Sequence, residues 1–150
     1  MTSATEPKTI DLYGVGVQNE AAVTDAVVTP GMLVVRSATG IRPHNVAGGS
    51  AAPAFAVETD LIGEGIDDNY AIGENAIYRT FAQGSAVYAL LAPSQTIAVG
   101  ALLQSNGDGK LIVAAAADNV VAQAIEAVTT GVGVTARIKV EILTGTVAAA

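Results

Sequence analysis

Apolar residues recur along this chain in short alternating runs rather than at helical spacing. The clearest run lies near the C-terminus. Val134, Ala136, Ile138, Val140 and Ile142 fall on one face, and Thr135, Arg137, Lys139 and Glu141 on the other. Strict period two over nine residues predicts a strand with one buried and one wetted face. Shorter apolar segments predict strands over residues 32–36, 53–57, 76–81, 86–91, 97–103 and 110–113. Turn signals separate them: Thr29-Pro30-Gly31, Ser37 to Gly40, Gly48-Gly49-Ser50, Ala92-Pro93-Ser94 and, strongest, Asn106-Gly107-Asp108-Gly109. Residues 113–128 fit two patterns. Val113, Ala117, Val120, Val121, Ala124, Ile125 and Val128 make a helical stripe, and the same segment reads as two strands around Asp118-Asn119. The surrounding β context favours strands.

Residues 10–17 also alternate, with Ile10, Leu12, Gly14 and Gly16 opposite Asp11, Tyr13, Val15 and Val17. Two glycines weaken this as a free-standing strand, so it needs an edge to join. Residues 1–9 are polar and predict a flexible arm, and residues 19–25 a loop. The expected organisation is therefore an extended N-terminal arm and linker over 1–28 and a body over 29–150 with a frayed tail from Thr144. About eight short strands divided by Gly and Pro turns predict an all-β fold, a small β-sandwich or β-barrel of jelly-roll or tulip-like form.

Composition sharpens this picture. The chain has 150 residues, 51% of them hydrophobic, yet only 4% are aromatic and 14% charged. The apolar content is small: 29 Ala and 19 Val stand beside 16 Gly and 14 Thr. Close packing must then come from many small contacts. High hydrophobicity with little charge argues against disorder. With no Cys, disulfides, thiol catalysis and zinc–thiolate sites are excluded. The apolar runs fall short of the ~20 residues a membrane helix needs, and the first residues lack the basic-then-apolar order of a secretion signal. A net charge of −7 leaves no basic footprint for nucleic acid.

Few residues are suited to chemistry. His44 is the single histidine. It sits in a loop beside Arg42-Pro43, with no nucleophile and no orienting acid near it in the pattern. Six acids crowd residues 58–74: Glu58, Asp60, Glu64, Asp67, Asp68 and Glu74. Their spacing matches no EF-hand loop. A solvated acidic loop, partly facing a partner, suits them better than a metal or acid–base site. Asn106-Gly107-Asp108-Gly109 lacks the later ligands of a calcium loop and reads as a hairpin turn. Gly14-Val15-Gly16 and Gly63-Glu64-Gly65 are too short for dinucleotide fingerprints, and no Gly-x-Ser-x-Gly or His-Glu-x-x-His occurs. The expectation is a structural or binding protein, not an enzyme, with no cofactor and no metal. A carboxylate-dependent enzyme using residues 58–74 is the contrary reading.

Several segments together resemble a known family. They are Thr29-Pro30-Gly31-Met32-Leu33-Val34, residues 58–70 from Glu58 to Tyr70, and residues 87–91, 97–105, 107–111 and 121–127. This pattern is similar to the capsid decoration (cement, head-stabilising) proteins of tailed bacteriophages, and the resemblance spans residues 29–143. It implies a small β-rich protein, usually a homotrimer, on the outer surface of the virion head. There it would bridge neighbouring major capsid subunits against internal DNA pressure, without enzyme activity or cofactor. The partners implied are the major capsid protein and the chain itself, with neither nucleic acid nor membrane. Members of the family often add a strand from an N-terminal arm to a capsid sheet. On that basis Ile10, Leu12, Tyr13, Val15 and Val17 are candidate arm contacts. Asp67, Asp68 and Tyr70 are candidates to meet a basic capsid patch or a sister subunit. A phage tail or baseplate module, or a bacterial surface β-module, has the same composition.

Overall fold

The computed structural model describes residues 7–147. In chain order the strands are β1 (Asp11–Tyr13), β2 (Gly16–Ala22), β3 (Val34–Arg36), β4 (Ile41–Pro43), β5 (Ala54–Val57), β6 (Asn75–Phe81), β7 (Ala86–Leu91), β8 (Thr96–Ile97), β9 (Leu102–Ser105), β10 (Leu111–Val113), β11 (Asn119–Ala124), β12 (Val128–Thr129) and β13 (Ala136–Val147). A single 3-10 turn at Asp60–Ile62 is the only helical element among the described residues. The fold is all-β, as the alternating pattern predicts.

Five strands close a barrel in the order β7-β10-β9-β11-β13, with β13 returning to β7. The β7–β10 closure is the single pair Leu111 with Leu91, and β1 takes the side of β7 that β10 leaves free. Inward positions alternate with outward ones, and large residues sit against small ones across the ladders. Ile138 pairs with Ala89, and Ala122 lies between Leu103 and Ile142. Ile138, Ile142, Leu91, Leu103 and Leu111 are fully buried there. Each such side chain contributes about 1.5–3 kcal/mol. The abundance of Ala thus has a structural cause: a narrow barrel can house a large residue only where its neighbour is small. The β9–β10 hairpin turns at Gly107 and Gly109, both with positive φ.

A second sheet, β2-β6-β5, lies beside the barrel. Period two gives its two faces to two different cores. Phe55 and Val57 of β5 and Phe81 of β6 join the barrel cluster, while Ala54, Ala56, Ala76 and Tyr78 join a second cluster with Val23, Val28, Val34, Ile41 and Tyr70. This explains why all four residues of β5 are buried. The β3–β4 hairpin covers the second cluster. Gly31 ties the layers together: its N–H donates to Ala56 of β5 at 2.8 Å and its carbonyl accepts from Leu90 of β7 at 3.0 Å.

Five expectations change. The stretch 10–17 is two strands, not one, and they belong to different sheets. β1 pairs with β7 of the barrel, and β2 pairs with β6. From Ile10 onward the expected arm is part of the body, because Ile10 is wholly buried in the barrel cluster; residues 1–6 lie outside those described. The expected loop at 19–25 is the second half of β2 as far as Ala22. The tail does not end its order at Thr144: Thr146 and Val147 pair with Val120 and Asn119. Residues 97–103 divide into β8 and β9, with Gly100 at positive φ between them. Residues 113–128 contain no helix: β10 ends at Val113, β11 runs over Asn119–Ala124, β12 starts at Val128, and the residues between them are turns.

Candidate interface

The corner between β1 and β2 depends on one residue. Gly14 has φ of +107°, and a Cβ built there would lie 2.3 Å from Ser85 Oγ. The Ser85 hydroxyl holds the next residue, accepting from the Val15 N–H at 3.0 Å and donating to the Val15 carbonyl at 3.1 Å. The chain therefore leaves the barrel sharply and enters the second sheet. At this corner three apolar side chains stand out: Tyr13, Val15 and Val17 are 55%, 71% and 65% exposed. A contiguous run of that kind is the usual mark of a contact surface.

The strand that follows is itself an edge. β2 has β6 on one side and no strand on the other among the described residues. The ladder register is Gly16 to Phe81 through Ala22 to Asn75. Its ends are fixed by Ala82 N–H to the Val15 carbonyl and Val23 N–H to the Glu74 carbonyl, both 2.8 Å. Antiparallel alternation then points the backbone groups of Gly16, Gln18 and Glu20 away from β6. No Pro or Lys interrupts β2, and no bulge is present in its pairing with β6. These are the devices by which edges are usually blunted.

Each face of β2 adjoins a different cavity. On the face carrying Gln18 lies a polar one of about 280 Å³ lined by Asp11, Gln18, Glu58, Asp60, Leu61 and Arg79 among others. Arg79 is held there by Asp11 and by Gln18 Oε1, which accepts from its Nε and Nη2 at 3.1 and 2.8 Å. On the face shared by Val17 and its partner Thr80 lies an apolar cleft of about 240 Å³, lined by Val34, Ile41, Ala54, Tyr78 and Thr80 among others.

The other expected contact residues divide. Ile10 and Tyr70 are buried and cannot form an outer contact surface. Ile10 is anchored at its backbone as well: its N–H donates to Glu58 Oε1 at 3.1 Å, and its carbonyl accepts from Tyr88 at 2.8 Å. The Tyr70 hydroxyl donates to the Val57 carbonyl and bonds Thr59 Oγ1, each at 2.6 Å. Burial pushes its phenol above the ordinary range, against the opposing effect of the Thr59 hydrogen bond. Leu12 is half-buried. Asp67 and Asp68 are exposed but engaged. Asp67 pairs with Arg137 at 2.9 Å, and Asp68 accepts from the Gly65 N–H at 2.6 Å. Four of the six acids in residues 58–74 bind groups of their own chain, since Glu74 also accepts from Ala71 at 3.0 Å. His44 lies in the loop after β4, as expected. It is buried, with Nδ1 2.7 Å from Ser105 Oγ and Nε2 3.1 Å from the Ser50 carbonyl. Among the described residues no group of three His, Asp or Glu is placed to hold a metal ion.

No family model matches the chain, and no curated protein matches it. Solved structures share this fold, the head fiber base of a bacteriophage among them. This is the N base of head fiber gp8.5 in bacteriophage phi29, with a TM-score of 0.56 and 14% sequence identity. The likeness covers 86% of this chain and 95% of that one.

Tyr13, Val15 and Val17, expected as contacts, are exposed, and the open edge that continues from them was not expected. The signal was present in Gly14: a glycine between two alternating runs marks a corner as readily as a weak strand.

Proposed function

We propose that the chain is a structural protein of a bacteriophage head, mounted on the outer surface of the capsid. There it would contact the major capsid protein and strengthen the shell by bridging neighbouring subunits. The observation that supports this is the fold similarity to the phi29 head fiber base over 86% of the chain. The resemblance to decoration proteins over residues 29–143 points the same way. In this reading the chain has no catalytic role, and Tyr13, Val15 and Val17 with the exposed carboxylates of Asp67 and Asp68 are its contact residues. Residues 10–13 are not free to be donated as an arm, because β1 is already paired with β7 and Ile10 is in the core. A homotrimer is the assembly the resemblance implies, and many copies on one shell would bind with avidity.

The test is co-sedimentation of the purified chain with expanded heads of the phage that carries its gene, together with light scattering. Saturable binding that weakens when Val15 and Val17 are both changed to Ser supports the reading. Scattering of about 45 kDa, three times the 15.0 kDa chain, supports the trimer. Heads that never bind the chain, at any ratio, overturn the assignment.

A further inference from the structure

We infer that the open edge of β2 is a strand-addition site, and that its occupant is an extended protein segment alternating basic and small apolar residues. The inference stands on the edge itself and holds whether or not the chain sits on a phage head.

Three observations meet here. The first is the edge: Gly16, Gln18 and Glu20 present outward N–H and C=O groups with no strand beside them among the described residues. An added strand would satisfy those groups, which is how affinity arises in this mode of recognition. The second is the acid balance of one face. Along it lie Glu20, exposed and without an ion-pair partner among the described residues, and a cavity whose charged lining is Asp11, Glu58 and Asp60 against Arg79. Arg79 is already neutralised by Asp11. Side chains that an incoming strand directs to this face meet net negative charge, so Lys and Arg fit and acids do not. The third is the opposite face. There Val17 stands exposed, and Tyr78, Val34 and Ile41 line an apolar cleft. Because successive side chains of a strand alternate, one segment would offer basic residues to the first face and small apolar residues to the second. A second copy of the chain fits poorly. Its own β2 carries Glu20, and each copy has a net charge of −7.

The probe is an acetylated, amidated octapeptide of alternating Lys and Val, read by amide protection and chemical-shift changes in the full chain. The comparison probes are the same peptide with alternate backbone N-methyl groups and a peptide alternating Glu and Val. Protection of the Gly16, Gln18 and Glu20 amides by the Lys–Val peptide alone supports the inference. Glu20→Lys should then weaken that binding about three- to tenfold while the chain stays folded. Gln18→Pro should abolish it, since the Gln18 N–H is an outward donor that β6 does not use. The inference fails if the N-methylated peptide binds as well as the parent, which would mean no ladder forms. It also fails if the Glu–Val peptide binds equally, if no amide of β2 is protected at millimolar peptide, or if those three amides are already protected in a free protein that scatters as a dimer.

Discussion

Replacing Ile10 by Ala separates an appended arm from an integral first strand. Ile10 is fully buried among the barrel residues, its N–H is bonded to Glu58 and its carbonyl to the N–H of Tyr88. Truncation removes three buried carbons and leaves a cavity in a close-packed wall, at a cost of about 2–5 kcal/mol. For a chain of this size each kcal/mol lowers Tm by about 2–4 °C. Ile10→Ala should therefore lower Tm by roughly 5–15 °C. Val17→Ala, only seven positions on, removes carbons that are already in water, and should change stability by less than about 0.5 kcal/mol. Both variants, melted by circular dichroism at neutral pH and unfolded in urea, report the contrast directly. Equal and negligible effects from the two would show that residues 10–17 are a free arm, and the pairing of β1 with β7 would have to be abandoned.

The other outcomes follow from single contacts. Gly14→Ala forces a Cβ to 2.3 Å from Ser85 Oγ at a backbone angle that alanine avoids, and should cost about 2–4 kcal/mol; a neutral result by urea titration would mean the corner is not where it is described. His44→Ala removes a partner from the Ser105 hydroxyl, which keeps only the Gly107 N–H, and from the Ser50 carbonyl, and opens a buried space, so a loss of about 2–4 kcal/mol is expected, with hydrogen exchange rising first in the turn at 106–109. Tyr70 gives a pH signature. Its phenol has a higher pKa folded than unfolded, so its contribution is intact below about pH 10 and is lost as pH rises from the unfolded value through the folded one. Tyr70→Phe should flatten that part of the alkaline stability curve while lowering stability at pH 7 by about 1–2 kcal/mol; an unchanged alkaline slope would count against burial as the cause.

Strands with one wet face were readable because period two is a local signal. Ile138, Val140 and Ile142 are buried as their spacing predicts, and Asn106 to Gly109 turns where its residues allow positive φ. The middle sheet was harder to read. Every residue of β5 is buried, so its alternation divides two cores instead of separating core from water, and hydropathy cannot distinguish those cases. The acidic stretch is solvated as expected, with Asp60, Asp67, Asp68 and Glu74 exposed, but its contacts within the chain were not legible. Glu58 and Asp67 reach partners 48 and 70 residues away. No local pattern encodes such a contact. His44 is the same case, since its partner Ser105 is 61 residues distant. Chain ends were underestimated too, because whether residues 10–13 or 144–147 are held depends on the edges of β7 and β11 that receive them.

The way the fold treats its edges bears on where it can bind. The barrel closes β13 onto β7, and β1 takes the side of β7 that β10 leaves free. In the second sheet β5 is covered on its outer side by the segment 31–33, through Gly31 N–H to the Ala56 carbonyl, Ala56 N–H to the Met32 carbonyl and the bridge from Leu33 to Phe55. The far end of β2 is covered as well, where Val23 bridges to Ile41. What is left open among the described residues is the stretch from Gly16 to Glu20, adjoining the exposed Val15 and Val17. An unprotected edge is an aggregation hazard that a chain of 51% hydrophobic composition can ill tolerate. The opening is also rigidly mounted, since β6 is fixed by a core on each of its faces. A hazard held open on so firm a support is best explained by an occupant in the assembled state, and the acid-rich cavity on one side of it indicates what charge that occupant carries.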